Sequence, residues 1–217
     1  MRREVAAIRQ RLRARGSASP EALRKTARGA ARGHVGDREL SHGLAVARAL
    51  WRGGRGKEMT LAILYLSQFH RRFEPAQWRE FKSWVARART AEQVDLVATL
   101  LLGNLVLKDR SWCRVLRHWA LSRSARERRA AAMALVPRTR QMGDAEAALA
   151  LCEGLMRDRS PLVREAVDSL LSESLAADAL LTESFLARWR RKGRHSDLVT
   201  GSTPLPDRGG KILGKMI

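Results

Sequence analysis

The chain has 217 residues, with 42 Lys and Arg against 22 Asp and Glu, so a net charge of +20 sits on a sequence holding one Tyr and four Phe. A field of that sign gathers polyanions, whether nucleic acid or an anionic membrane surface, whatever the fold; an Arg-rich composition with no partner behind it is the plain alternative. Two isolated cysteines, Cys113 and Cys152, exclude a disulfide framework, and five scattered histidines without paired spacing argue against a metal site.

No stretch of about 18 apolar residues is present. The cationic start, Met1 to Arg15, has no apolar core or small-residue cleavage site after it. A cytoplasmic protein is therefore expected, without metal, cofactor or membrane partner. From Glu4 to Trp189 apolar residues recur at three- and four-residue spacing and strand-type alternation is absent, so the chain reads as all-α.

In chain order, helices are expected at 3–15, 20–32, 37–52, 57–71, 75–88, 91–107, 110–121, 124–136, 144–157, 160–173 and 178–191. Pro20, Pro75 and Pro161 each fall in a first helical turn, where the missing N–H has no intrahelical partner to lose. Gly53-Gly54-Arg55-Gly56 is the clearest break. Trp78 and Trp84 flank Phe81, and Trp112 and Trp119 lie seven apart; both spacings suit a core better than a base-stacking platform. Thr90 stands three residues before Gln93, the spacing of a capping box. The following helix is apolar almost all round, through Val94, Leu96, Val97, Leu100, Leu101, Leu102, Leu105 and Val106, which predicts a place in the middle of a stack. Its Asp95 is the carboxylate that calls for explanation, either as chemistry or as a complement to the helix dipole. Beyond Gly193 the composition turns to Ser, Thr, Pro and Gly, which predicts a helical domain over 1–192 and a basic, loose tail over 193–217.

A repeat emerges when residues 123–131 are laid on 159–167, an offset of 36, where Arg, Ser, Arg and Ala coincide. Asp158, Ser160, Pro161, Val163, Arg164 and Ala166, followed by Leu170 and Leu171, resemble the second-helix signature of HEAT repeats. Such units stack helical hairpins into an α-α superhelix, or solenoid, of HEAT-like repeats. Arg123, Arg126 and Arg129 recur every three residues with Arg128 beside them, a cationic stripe suited to phosphates; Arg87 and Arg89 extend it and Arg159 repeats Arg123. The run Arg188, Arg190, Arg191, Lys192 and Arg194 reads equally as phosphate contacts or as a basic tail. No Gly-rich phosphate loop or nucleophile pattern stands out.

Together these motifs resemble the AlkD-type DNA alkylation repair proteins, HEAT-like repeat glycosylases that remove alkylated purines. The resemblance starts near Gly33-His34-Val35 and Leu44 to Trp51 and continues through Lys57-Glu58, Trp78, Phe81 and Trp84. It is clearest over Gln93 to Thr99 with Gly103, and over Ala120 to Ala131. It implies that Asp95 takes the place of the carboxylate beside the lesion-bearing nucleotide and Arg129 that of the arginine on the DNA backbone. The two tryptophans that flank the nucleotide in that family fall on Ala91 and Ser169, a further one on Arg126, and an arginine on Ser172. The charged half of the site is kept and the aromatic half is not. The resemblance thus implies a monomer holding duplex DNA, alkylated or not, on a basic concave face near Arg126, Arg129 and Asp95. Excision of a cationic alkylated purine stays a separate question. A protein-interaction scaffold of helical repeats is the alternative, since fold does not settle function.

Overall fold

The computed structural model of the chain describes residues 2–14, 19–32, 40–54 and 56–200, with 13–14 and 192–200 as backbone alone. Gly33-His34-Val35, Arg55, the side chains of Lys192 and Arg194, and the tail beyond 200 lie outside the described residues. Among the described residues every regular element is helical, as the periodicity predicts, and the chain divides into two compact units, Met1–Leu105 and Val106–Ile217.

The first unit holds α1 (Arg2–Ala14), α2 (Pro20–Ala31), α3 (Leu40–Gly53), α4 (Gly56–Leu66), α5 (Trp78–Arg87) and α6 (Ala91–Leu96). The expected helix 57–71 changes at Ser67 into a 3₁₀ segment, Ser67–Arg72, and a 3₁₀ turn over Pro75–Gln77 leads into α5. α4 is the centre of this unit: Met59 to Leu66 are all buried, packed by α2, α3 and α6. The central place predicted for helix 91–107 is only partly taken by it, because Leu96 and Leu100 remain half-buried while Val94, Val97, Leu101 and Leu102 are enclosed. Where α3 gives way to α4, a Cβ on Gly54 would lie 2.4 Å from the Leu50 carbonyl oxygen four residues back and 2.7 Å from Glu58 Cβ, so the glycine is a local steric requirement. α1 is tied in by Glu4, whose Oε2 is 2.8 Å from His42 Nε2 and whose Oε1 accepts from the Tyr65 hydroxyl at 3.3 Å.

α6 continues as a π-helical turn, Val97–Leu102, and then as α7 (Gly103–Lys108); the Gly103 N–H donates to the carbonyl of Ala98, five residues back. A 3.6-residue pattern cannot disclose a turn that closes at five, so the sequence reads this stretch as one regular helix.

The second unit holds α8 (Trp112–Trp119), α9 (Ala125–Met142), α10 (Ala145–Leu155), α11 (Pro161–Ala177) and α12 (Ala179–Thr200). α9 and α11 pack along their lengths as one layer, and α8, α10 and α12 form a second layer over them. Ala130, Ala131, Ala134 and Leu135 of α9 and Val163, Ala166, Val167 and Leu170 of α11 are buried, small side chains letting the two helices approach.

α9 runs six residues past the end predicted at 136, passing through Pro137. An interior proline cannot donate to the carbonyl four residues back and costs about 3 kcal/mol, which is why the sequence suggests a stop there. One long-range hydrogen bond and two local ones offset that cost. Arg138 donates to the Val106 carbonyl at 3.0 Å and to Asp144 Oδ2 at 2.6 Å, and Thr139, fully buried, donates to the Leu135 carbonyl. The helix ends at Gly143, in the left-handed region at φ 67°, whose N–H donates to the Thr139 carbonyl. α12 likewise extends to Thr200, beyond the predicted 191.

Candidate nucleic-acid interface

The 36-residue offset seen in the sequence is reproduced in hydrogen bonds. α9 and α11 start 36 residues apart, after Ser124 and Ser160, both extended, with φ −80° and ψ 115° in one and φ −80° and ψ 121° in the other. Two residues before each cap a side chain accepts the cap's N–H: Ser122 Oγ from Ser124 at 3.1 Å, Asp158 Oδ1 from Ser160 at 2.8 Å. Four residues into each repeat an arginine folds back on its own loop. Arg128 Nη1 donates to the carbonyls of Ser122 (2.9 Å) and Arg123 (3.1 Å), and Arg164 Nη1 to those of Asp158 (3.1 Å) and Arg159 (3.2 Å).

Arg128 then joins one repeat to the next. Its Nε donates to Asp158 Oδ2 at 2.5 Å and its Nη2 to Oδ1 at 3.1 Å, with both side chains largely buried. Burial by itself would push the Asp158 carboxyl up. The hydrogen bonds from Arg128 and the Ser160 amide, with the charges of Arg128 and Arg164, outweigh it and hold the carboxyl below its usual range. The hydrogen bonds that Arg128 donates to Asp158 in turn raise Arg128.

The arginine stripe does not stay on one face. Three residues advance a helix by about 300°, so each step of three falls about 60° short of a full turn. Arg123 and Arg126 are exposed, whereas Arg129 has turned toward α11 and is 8% exposed. Arg129 Nη1 donates to the Leu162 carbonyl and to Glu165 Oε2, the latter at 3.1 Å. Arg159, the repeat mate of Arg123, is exposed as well. Ser169 and Ser172 are exposed on α11, with the Ser169 hydroxyl donating to the Glu165 carbonyl at 2.9 Å.

In the first unit, Arg87 ends α5 and Arg89 lies in the following loop, both exposed, and Ala91 opens α6 half-buried. Thr90 accepts the Gln93 N–H at 3.2 Å, as the capping spacing predicts. The Gln93 side chain does not close the box on Thr90. It accepts from the Arg89 N–H at 2.9 Å and donates to the Gly56 carbonyl at 2.8 Å, fastening α6 to α4. Asp95 is half-buried, its own carbonyl accepting from the Thr99 hydroxyl at 2.7 Å, and it sits two residues before the π turn. The acidic residue in the first turn of α6 is Glu92, so the dipole role weighed for Asp95 falls to Glu92 instead.

The tryptophans follow their spacing for the most part. Trp78, Trp84 and Trp119 are buried and Trp112 is half-buried. Trp51 is stacked on Trp84 within the core, ring centroids 4.5 Å apart and planes 6° from parallel. Trp51 is itself buried, so neither face is open to a nucleotide. Among the described residues no group of His, Cys, Asp and Glu is placed to hold a metal, and no helix is long and apolar enough to cross a membrane.

Helices paired in register, with one arginine of each repeat turned inward as a clasp and another turned outward, define an all-α helical-repeat protein with cationic helix starts. A family model described as DNA alkylation repair enzyme matches residues 6–200, and the chain belongs to that DNA alkylation repair family. Among curated proteins, no relative matches the chain.

Proposed function

We propose that this protein binds duplex DNA through the outward arginines of its repeats, and that binding rather than base excision is its main activity. The observation that carries this is the division of labour between repeat-related arginines. Arg128 and Arg164 hold the fold, while Arg123 and Arg159, at equivalent positions, extend into solvent. Arg126 adds exposed positive charge near the same helix starts, and Arg87 and Arg89 add it in the first unit. Such contacts position a duplex without reading its sequence.

Arg128 and Arg129 contribute differently from the exposed group. Arg129 is held at the α9–α11 seam beside Glu165, so it orients the helix start and supplies field. Arg128 is the clasp to Asp158. Its likeness to the family's carboxylate makes Asp95 the residue for stabilising an oxocarbenium-like sugar, should excision occur. Ala91, on the same helix as Asp95, supplies no aromatic face to hold a cationic base against it, and misplacement by about 1 Å costs on the order of a hundredfold in rate.

The deciding experiment titrates a labelled duplex over a salt series beside an assay of bases released from methylated DNA. Affinity falling steeply with salt, with base release near the uncatalysed level, supports the reading; salt-independent affinity sinks it. Release by the wild type and not by Asp95→Asn would instead make the chain a glycosylase. One observation favours a second reading, a protein-interaction scaffold: Met142, Leu180 and Leu181 are exposed by 60%, 78% and 40%. Loss of all duplex affinity at low salt would move the reading there.

A further inference from the structure

The layer of α8, α10 and α12 in the second unit carries a cationic cleft that the DNA reading does not use. It lies between α8 and α10, has a volume of about 350 Å³, and is lined by Arg110, Arg114 and Arg117 over a floor of Ala147 and Ala150. Arg114 and Arg117 stand three apart on α8, so they share a face, and both are exposed. Neither side chain makes a hydrogen bond or ion pair with the described residues. Arg110 is fixed at the rim: its Nε and Nη2 each donate to Asp144 at 3.1 Å, and Nη2 also to Glu146 Oε2 at 3.3 Å.

Asp144 is a dependable anchor. Burial opposes its charge, but hydrogen bonds from Arg138, from the Ala147 amide it caps and from Arg110 together hold the carboxyl below its usual range. Asp144, which does not line the cleft, is engaged by Arg138 at 2.6 Å as well as by Arg110, and the one carboxylate in the lining, Glu146, is paired with Arg110 Nη2 at 3.3 Å. Glu146 stays largely exposed at the rim, which leaves Arg114 and Arg117 as uncompensated charge within it. The other polar groups of the wall are spent. The Ser111 hydroxyl donates to Asp109 Oδ2 at 2.6 Å, and burial before all else pushes the half-buried Cys113 thiol up, keeping it protonated.

We propose that this cleft is a phosphate-binding site formed by Arg114, Arg117 and the anchored Arg110, in the layer opposite the helix starts that carry Arg123, Arg126 and Arg159. Two planar guanidinium forks one turn apart match the several oxygens of a phosphate or diphosphate group, where a single carboxylate satisfies only one fork. The volume stands at the lower end of small-ligand sites, about 300 to 1,000 Å³. A diphosphate or a mononucleotide fits that space, as does one stretch of nucleic-acid backbone.

The test is calorimetric titration of the full-length protein with inorganic pyrophosphate, beside an Arg114→Ala/Arg117→Ala variant. An Arg123→Ala/Arg159→Ala variant removes the same charge from the other layer. The expected result is at least a tenfold loss of pyrophosphate affinity in the α8 variant and little change in the other. Equal losses in both variants, or no binding by the wild type, overturn the proposal. A short duplex added as competitor distinguishes the source of the phosphate. Competition that the α8 variant abolishes identifies a nucleic-acid backbone, and undiminished pyrophosphate binding identifies a free phosphate compound. A wild type that binds pyrophosphate but no duplex leaves this site standing while the DNA reading fails.

Discussion

Arg128 spans the 36-residue repeat to grip Asp158, with Nε 2.5 Å from Oδ2 and Nη2 3.1 Å from Oδ1, while its Nη1 holds the loop carbonyls of Ser122 and Arg123. The same guanidinium therefore closes its own repeat and docks the next. Truncating either partner strands a largely buried charge, and Asp158→Ala or Arg128→Ala is expected to cost about 3 kcal/mol. Urea denaturation measures this. A loss under about 1 kcal/mol, the scale of an exposed pair, would mean that the clasp is ornamental.

The same pair sets an acid limit. Asp158 and Asp144 have folded-state values below their ordinary 3.8, and Glu173, hydrogen-bonded by Arg140, lies below its ordinary 4.5. A depressed carboxyl contributes stability fully above its unfolded value and loses it as pH falls through the folded one. Melting temperatures should therefore hold steady from pH 7 to 5 as far as these groups go and decline below about pH 4. Asp158→Asn should flatten that decline. An undiminished acid slope in the variant would show that other groups drive it.

For the DNA reading, removing two phosphate-binding arginines should change the salt dependence by a countable amount. Arg123→Ala/Arg159→Ala is expected to make the slope of log affinity against log salt shallower by about 1.8, at about 0.9 for each phosphate no longer neutralised. Stability should stay within about 0.5 kcal/mol of the wild type, since both side chains are exposed. The folding arginine of the second repeat should behave in the opposite way. Arg164→Ala lowers stability and leaves the slope of the folded protein unchanged.

The sequence discloses the helices and the repeat because both rest on periodicity that survives in the residues themselves. Ser124 and Ser160, Arg128 and Arg164, and Ala130 and Ala166 all keep equivalent places in the fold. The fate of Arg129 is not written locally. Its burial depends on α11 presenting the Leu162 carbonyl and Glu165 at the point where α9 has turned, and the three-residue spacing gives no sign of it. Pro137 misleads for a related reason: the propensity to stop is local, and one anchor that overrules it, the Val106 carbonyl that accepts from Arg138, lies 32 residues away in the chain. The α8–α10 cleft needs two helices to exist, so Arg114 and Arg117 look like any solvated pair until Ala147 and Ala150 supply the floor.

The missing aromatics can be restored one at a time. Ser169 is exposed, so Ser169→Trp should fold with little loss. An aromatic face toward a cationic alkylated base contributes about 0.5 to 2 kcal/mol, equivalent to about a 2- to 30-fold gain in affinity for alkylated over plain duplex. Competition between the two duplexes reads that ratio directly. A ratio unmoved by the substitution would show that position 169 does not face the bound nucleotide, and the residue correspondence would need revising.

Two glycines offer a closing comparison, because each is required for a different reason. Gly143 has φ 67° with nothing within 4 Å of an added Cβ, so Gly143→Ala meets only the left-handed backbone penalty, about 1 to 2 kcal/mol. Asparagine tolerates that region, so Gly143→Asn should recover part of the loss. Gly54 instead faces fixed atoms: its Cβ would lie 2.4 Å from the Leu50 oxygen, 2.7 Å from Glu58 Cβ and 3.2 Å from the Met59 nitrogen. Backbone cannot swing aside as a side-chain tip does, so Gly54→Ala must distort the end of α3 and the start of α4 that flank it, at a cost of about 3 kcal/mol, and no residue larger than glycine should rescue it. Denaturant midpoints for the three variants give the ranking. If Gly54→Ala proved milder than Gly143→Ala, the close contacts around Gly54 would not be the constraint on the join between α3 and α4.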